Sequence, residues 1–215
     1  YDCAMQIRSD QIEKSADWDP SDLFLDEDGM LNVLSASAGK VYVFSQDLQY
    51  QKTVTFLQDG SEAFLMGLKG LYVYGRGENK RYYAADPERE RVFIADSQGN
   101  IVDEIRRPNT NLIDESVTFA PEKVLVNKTN GYVYVLVPGI YYGACVFSPE
   151  DYQLITFLGG NTVEATTFLL ADYFWKKILN EKQIEKMRRY IPISFANFTL
   201  DSEGYLYTVT NKTAL

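Results

Sequence analysis

The chain has 215 residues, and its 30 Asp and Glu residues outnumber its 21 Lys and Arg residues, which gives a formal net charge of −9 at pH 7. A protein that binds the phosphates of a nucleic acid needs clustered Lys and Arg, so this acidic balance argues against a nucleic-acid partner. The sequence contains no His, which excludes a His general base, a Ser-His or Cys-His nucleophile pair, and zinc or haem ligation by a His of this chain.

Four short apolar runs joined by turns occupy residues 22–57. The turn between the first two runs, residues 26–29 (DEDG), has a physical basis: an Asp side chain bonds the backbone amides that follow it, and Gly supplies a positive φ. The runs are rich in Val, Tyr, Phe and Thr, which favour strands. This segment therefore predicts four antiparallel strands, at residues 22–25, 31–34, 41–44 and 53–57.

The same order of strands and turns returns at residues 71–105 and again at residues 123–158. The third unit contains a stretch without charged side chains, residues 129–149, that is long enough to cross a bilayer. Pro138 interrupts this stretch, and Tyr alternates with Val in residues 132–135. The stretch therefore predicts two buried strands and a turn rather than a membrane helix.

Two further segments follow the third unit. Residues 171–190 have helical spacing, because apolar side chains such as Phe174 and Ile178 lie four positions apart, and they predict a helical hairpin. Residues 198–210 (FTLDSEGYLYTVT) then repeat the strand, acidic turn and strand of residues 24–33. This fourth unit contains only two strands.

Repetition of four-stranded units predicts an all-β fold, a partial β-propeller of about three and a half blades with a helical hairpin inserted at residues 171–190. One four-stranded sheet cannot bury both faces, whereas sheets stacked around an axis cover one another. A sandwich or barrel also has many short strands, but it would not repeat the same turn chemistry at the same place in each unit. We predict one domain across residues 1–215.

Residues 20–29 (PSDLFLDEDG) and 91–101 (RVFIADSQGNI) resemble the repeat of NHL-type β-propellers. Residues 172–192 followed by residues 197–207 further resemble a group of secreted bacterial propellers in which a helical insertion lies between two blades. The resemblance covers most of residues 18–210. It implies a propeller of about six blades that is exported, and often lipid-anchored, to an extracytoplasmic location.

The chain departs from this resemblance because it supplies only about three and a half blades. An unfinished blade leaves an edge of unpaired backbone groups, which favours pairing with another chain. In closed propellers an N-terminal strand often completes the last blade, and residues 3–7 are a candidate for that strand. We therefore expect self-association through the last blade, or completion by a second piece.

Propeller ligands usually bind at the mouth of the central channel, and the loops before the innermost strands build that mouth. Here these loops and strand starts place Trp18, Asp22, Lys123 and Asn197 as the predicted ligand-binding residues. Asp22, Lys123 and Asn197 occupy matching places in their units. The alternative is that they only satisfy backbone groups where the strands begin.

The sequence offers no metal or cofactor site that we would assign. The acidic turns at residues 26–29 and 201–204 are too short for a calcium loop of the EF-hand type. Cys3 and Cys145 match no metal spacing, and both a disulfide between them and two buried thiols remain open.

The predicted helices at 171–190 carry several Lys and Arg residues on an acidic protein. A basic amphipathic helix suits peripheral contact with a membrane or a partner. The alternative is that its apolar face packs on the propeller and its basic face is solvated.

The predicted function is a non-catalytic, exported propeller module that binds a protein, peptide or glycan partner. The alternative is an enzyme of the metal-dependent lactonase or lyase type, which shares this architecture. Such an enzyme needs convergent carboxylate or amide oxygens around a metal, or a catalytic His, and this chain has no His. Fold alone does not decide between the two classes.

Overall fold

The computed structural model of the chain describes residues 6–12, 18–110, 112–140, 143–159, 195–201 and 204–210. The predicted helical hairpin at residues 171–190 and the cysteine at position 3 lie outside these residues. The hairpin, and the choice between a disulfide and two thiols, therefore stay predictions.

Three antiparallel sheets of four strands follow one another along the chain, and each sheet is called a blade here. Blade 1 consists of β1 (Pro20–Leu25), β2 (Leu31–Ser35), β3 (Lys40–Phe44) and β4 (Tyr50–Thr55). A small hairpin, β5 (Leu57–Gln58) and β6 (Ser61–Glu62), follows it. Blade 2 consists of β7 (Gly70–Tyr74), β8 (Arg81–Asp86), β9 (Arg91–Ala95) and β10 (Ile101–Arg106).

Blade 3 consists of β11 (Lys123–Val126), β12 (Val133–Leu136), β13 (Gly143–Phe147) and β14 (Leu154–Gly159). The last sheet, called blade 4, contains two strands, β15 (Phe195–Leu200) and β16 (Leu206–Thr210). The predicted all-β fold with three complete units and half of a fourth is therefore confirmed.

The blades bury their apolar faces against one another. Between blades 1 and 2, Val41 and Phe56 belong to the same buried cluster as Val73 and Phe93. The rings of Phe56 and Phe93 meet edge to face, with centroids 4.8 Å apart. Burying an aliphatic or aromatic side chain of this size contributes about 1.5–3 kcal/mol, so such contacts between blades dominate the packing energy.

The first strands of the blades are neighbours in the order β1, β7, β11 and β15. As the innermost strands of a propeller, they line one side of its central channel. Gly70 at the start of β7 permits the close approach of β11, because a Cβ atom there would lie 2.6 Å from the Glu122 carbonyl oxygen and 2.8 Å from Lys123 Cα. Any larger residue at position 70 would push the two strands apart.

The repeated acidic turn has the same function in blades 1 and 4. Asp26 Oδ1 accepts hydrogen bonds from the amides of Asp28 (3.0 Å) and Met30 (2.9 Å). Asp201 Oδ1 accepts one from the amide of Tyr205 (2.9 Å). The repeat in the sequence therefore reflects a backbone requirement, since each turn needs an acceptor for amides that leave the strand ladder.

The charge-free stretch at residues 129–149 contains β12 and β13, which pair with each other as antiparallel strands. The prediction of two buried strands is confirmed. Across the described part of the chain, no helix has both the length and the apolar character needed to span a membrane.

Candidate functional site

The channel has two ends, and the near end is the one where β1, β7, β11 and β15 begin. Here Asp22 of blade 1 contacts both of the next two blades. Its Oδ1 atom lies 2.6 Å from Lys123 Nζ of blade 3, and its Oδ2 atom accepts a hydrogen bond of 2.8 Å from the amide of Leu71 in blade 2. Two of the residues predicted from sequence, Asp22 and Lys123, thus form an ion pair between β1 and β11. The Leu71 amide connects β7 to the same carboxylate.

The other two predicted residues, Trp18 and Asn197, are not part of this ion pair. The Trp18 ring packs against two aromatic rings of β3, with centroid distances of 5.7 Å to Tyr42 and 6.3 Å to Phe44. Asn197 is exposed, and its Oδ1 atom accepts a hydrogen bond from the amide of Phe198. Binding of a ligand by Trp18, Asp22, Lys123 and Asn197 stays a prediction.

The far end of the channel, where the first strands finish, holds a recess of about 270 Å³. All four blades contribute to it, and its lining includes Phe24, Tyr72, Leu125, Asn127, Lys128, Thr199 and Asp201. The rings of Phe24 and Tyr72 have centroids 4.4 Å apart and form an aromatic floor together with the buried side chain of Leu125.

The rim of the recess is polar. Lys128 Nζ lies 3.1 Å from Glu27 Oε1, and Arg76 Nε lies 3.6 Å from Glu27 Oε2. In blade 4, Asp201 Oδ2 accepts a hydrogen bond of 3.1 Å from the hydroxyl of Tyr207. Because the Lys128 and Arg76 side chains are exposed, their ion pairs with Glu27 can orient a ligand but contribute little to stability.

The floor of the recess carries no ionised group. Burial raises the pKa of Tyr72 to about 12, and the nearby Glu27 carboxylate and Tyr74 act in the same direction. The Tyr72 phenol is therefore neutral at physiological pH. A recess with aromatic rings below and hydrogen-bonding groups above suits a planar or ring-shaped group with polar substituents.

Sequence reasoning predicted the near-end residues but missed the recess floor. Side chains two positions apart on a strand point to the same side of the sheet. Phe24 follows Asp22 by two, Leu125 follows Lys123 by two, and Thr199 follows Asn197 by two. Extending the predicted ring by this period would therefore have found three of the lining residues.

A buried ionic cluster lies between blades 1 and 2. Lys80 Nζ lies 2.7 Å from Asp26 Oδ2 and 3.0 Å from Asp28 Oδ2. The ammonium group thus occupies the position beside the acidic turn that a metal ion would need. In the part of the chain that the structure describes, no three His, Cys, Asp or Glu side chains converge to hold a metal.

No protein-family profile matches the chain, and no curated protein sequence matches it. Solved structures do match. A catalytically inactive virginiamycin B lyase from Staphylococcus aureus, determined with quinupristin, is 13% identical, and the match covers 93% of this chain with a TM-score of 0.53. The fold is that of a β-propeller. The lyase shares that fold and, at this identity, nothing further can be transferred to this chain.

Two other matches have lower TM-scores. A protein from Bacteroides fragilis that is thought to be exported is 14% identical over 70% of this chain and 40% of its own, with a TM-score of 0.48. An extracellular domain from B. thetaiotaomicron is 12% identical over 89% of this chain and 22% of its own, also with a TM-score of 0.48. The propeller described here spans 52% of the length of the lyase.

Proposed function

We propose that this propeller is a non-catalytic, exported module that binds a protein, peptide or glycan partner in the far-end recess. The observation that carries the proposal is the contrast between the two channel ends. At the near end, the carboxylate of Asp22 is occupied by Lys123 and by the Leu71 amide. At the far end, a recess of about 270 Å³ with an aromatic floor is lined by side chains of all four blades.

The lining chemistry favours binding over catalysis. A hydrolytic or lyase reaction needs a general base, a nucleophile or a metal close to the bound substrate. Among the described residues the recess offers aromatic, aliphatic, hydroxyl and amide groups, together with Lys128 and Asp201 at the rim. The chain has no His to act as a base.

The alternative function is a metal-dependent enzyme of the lactonase or lyase type. The likeness to virginiamycin B lyase supports only a shared fold. A saturable rise in the thermal midpoint with Ca²⁺, Mg²⁺ or Mn²⁺ would favour the enzyme over the binding module.

The binding experiment uses mixtures of monosaccharides, amino-acid amides and dipeptides as probes and follows amide chemical shifts of the full chain by NMR. We expect shift changes in residues 125–129 and 199–201. Thr199→Trp places a large ring at the exposed rim and should abolish them. Thr118→Trp, at an exposed position in the loop before blade 3, is the matched control and should leave binding unchanged.

Two outcomes would contradict the proposal that the partner binds in the far-end recess. Shift changes centred on Asp22 and Lys123 instead would transfer the site to the near end, where sequence reasoning first placed it. If Thr199→Trp and Thr118→Trp both leave binding intact, the recess is not the binding site.

Several wider features belong to the same proposal. The resemblance to NHL-type bacterial propellers supports a ring of about six blades, export from the cytoplasm and one domain across residues 1–215. Self-association through blade 4 is supported by the exposed side chains of Tyr205, Tyr207 and Val209. Peripheral membrane contact through residues 171–190 rests on their basic residues alone.

A further inference from the structure

A second surface of the propeller displays two large apolar side chains on the loop between β6 and β7. Phe64 is 83% exposed and Met66 is 65% exposed, whereas Leu65 between them is 2% exposed. Single exposed apolar residues are normal on a protein surface, whereas a contiguous exposed apolar patch is typical of an interaction site.

The loop, called the Phe64–Met66 loop here, is fixed by both neighbouring blades. The amide of Gly67 donates to the carbonyl of Ala36 in blade 1 (2.9 Å), and Arg89 Nη2 of blade 2 donates to the carbonyl of Phe64 (2.7 Å). Beneath the loop, a Cβ atom on Gly39 would lie only 1.5 Å from the Leu65 carbonyl oxygen. The two apolar side chains are therefore presented by an ordered backbone, which lowers the entropy cost of binding.

A shallow recess of about 400 Å³ lies beside the loop, lined by Met66, Gly67, Glu88 and Arg89. The guanidinium of Arg89 is already engaged, since it donates to Asp86 Oδ1 (3.3 Å) as well as to the Phe64 carbonyl. Glu88 is exposed and forms no ion pair with any described residue. The recess therefore combines an apolar wall with the Glu88 carboxylate, which has no ion-pair partner among the described residues.

Two lysines near the loop are already paired with carboxylates. Lys69 is paired with Glu122 at 2.6 Å, and Lys40 is paired with Glu62 at 2.6 Å, so both nearby lysines are already neutralised. The whole chain also carries a formal net charge of −9. A cation brought to this surface gains attraction from Glu88 and from the general field of the protein.

We propose that the Phe64–Met66 loop and its recess bind a protein segment that places an apolar side chain beside a Lys or Arg. Aromatic, Met and Arg side chains are enriched at the energetic centres of protein interfaces, and Phe64, Met66 and Arg89 provide that set here. The apolar side chain fills the recess against Met66, and the basic side chain pairs with Glu88.

The test pans a library of random twelve-residue peptides, displayed on phage, against the immobilised 215-residue chain. We expect enriched peptides that pair an aromatic or large aliphatic residue with a nearby Lys or Arg. Phe64→Ser together with Met66→Ser should weaken the binding of a synthetic winner by about tenfold or more, because both contacts lie at the centre of the surface.

Matched variants separate this surface from others. Val102→Ser together with Ile155→Ser also removes two exposed apolar side chains, on the outer strands of blades 2 and 3, and should leave peptide affinity unchanged. Glu88→Gln keeps the apolar contacts and should weaken binding while reducing its dependence on salt. Thr199→Trp should leave the affinity for this peptide unchanged, so a wrong assignment of the far-end recess can be distinguished from a wrong assignment of this loop.

Each contrary result overturns the proposal. The loop is not the binding surface if no peptides are enriched or if acidic peptides are enriched. The same conclusion follows if the Phe64→Ser and Met66→Ser double variant binds the peptide as well as the native chain does. Loss of self-association in that variant would assign the loop to a second copy of this chain. Loss of binding to zwitterionic vesicles would assign it to a lipid surface. Circular dichroism of each variant confirms that the fold is retained.

Discussion

At the scale of single residues, the buried Lys80 shows how one side chain can decide what an acidic turn does. Asp26 is fully buried as a side chain, yet its carboxylate is charged because Lys80 and Asn32 donate hydrogen bonds to it. Without the ammonium group, the same turn would leave a buried negative charge without a counter-ion. Lys80 is thus the reason that the turn of blade 1 can be covered by blade 2.

Replacing Lys80 by Met should lower the free energy of unfolding by about 3–5 kcal/mol, because it leaves a buried carboxylate without a counter-ion. The matched control is Lys69→Met, which removes an exposed pair with Glu122 and should change stability by less than about 1 kcal/mol. Urea unfolding measures both values. Equal losses of unfolding free energy in the two variants would show that the buried cluster contributes no more to stability than the exposed pair.

Acid should weaken the fold through Asp26. Burial raises the pKa of Asp26, but hydrogen bonds from Lys80, Asn32 and the Met30 amide outweigh burial and hold it below its usual value. The folded-state pKa therefore lies below the unfolded one, so the stabilisation is present above about pH 4 and is lost as pH falls through the folded-state pKa. Unfolding free energies from neutral pH to about pH 3 should fall less in Asp26→Asn than in the native chain.

At the scale of elements, the turns and the loops between blades differ in how far the sequence predicted them. Strands and acidic turns repeat, so the three complete blades were predicted from sequence. In the part of the chain that the structure describes, the β5–β6 hairpin and the Phe64–Met66 loop occur once, so the repeat did not predict them. The Asp22–Lys123 ion pair was also out of reach, because residues 101 positions apart meet only once the spacing of the blades is known.

Gly39 and Gly60 provide a matched test of the close contact between Gly39 and the Phe64–Met66 loop. Both have a positive φ, 61° and 77°, so Ala is strained at either position. A Cβ atom on Gly39 would collide with the Leu65 carbonyl, whereas Gly60 has open space around it. Gly39→Ala should therefore cost about 1–3 kcal/mol more than Gly60→Ala in thermal or urea unfolding.

At the scale of the whole molecule, blades 1 and 4 each expose apolar side chains. Leu23 and Leu25 are exposed on blade 1, and Tyr205, Tyr207 and Val209 are exposed on blade 4. Within the described residues, β16 pairs with β15 alone. Stacked blades normally cover such faces, and an unpaired strand edge attracts a further strand.

Tyr207→Lys together with Val209→Lys should therefore reduce self-association, because Lys side chains resist burial and blunt a strand edge. Val102→Lys together with Ile155→Lys is the control, at exposed positions on outer strands. Sedimentation equilibrium at two protein concentrations gives the measurement. A native chain that stays monomeric at both concentrations would contradict the expectation.

The Asp22 carboxylate also has a consequence for how the molecule comes apart. It accepts hydrogen bonds from the Leu71 amide of one neighbouring blade and from the Lys123 ammonium of the next, so loosening any one of these three blades breaks a contact of this carboxylate. Open repeat arrays fray from their ends because each unit contacts only its neighbours. Here the Leu71 amide should exchange its hydrogen when blades 1 and 2 separate, which makes it a reporter of the contact between those two blades.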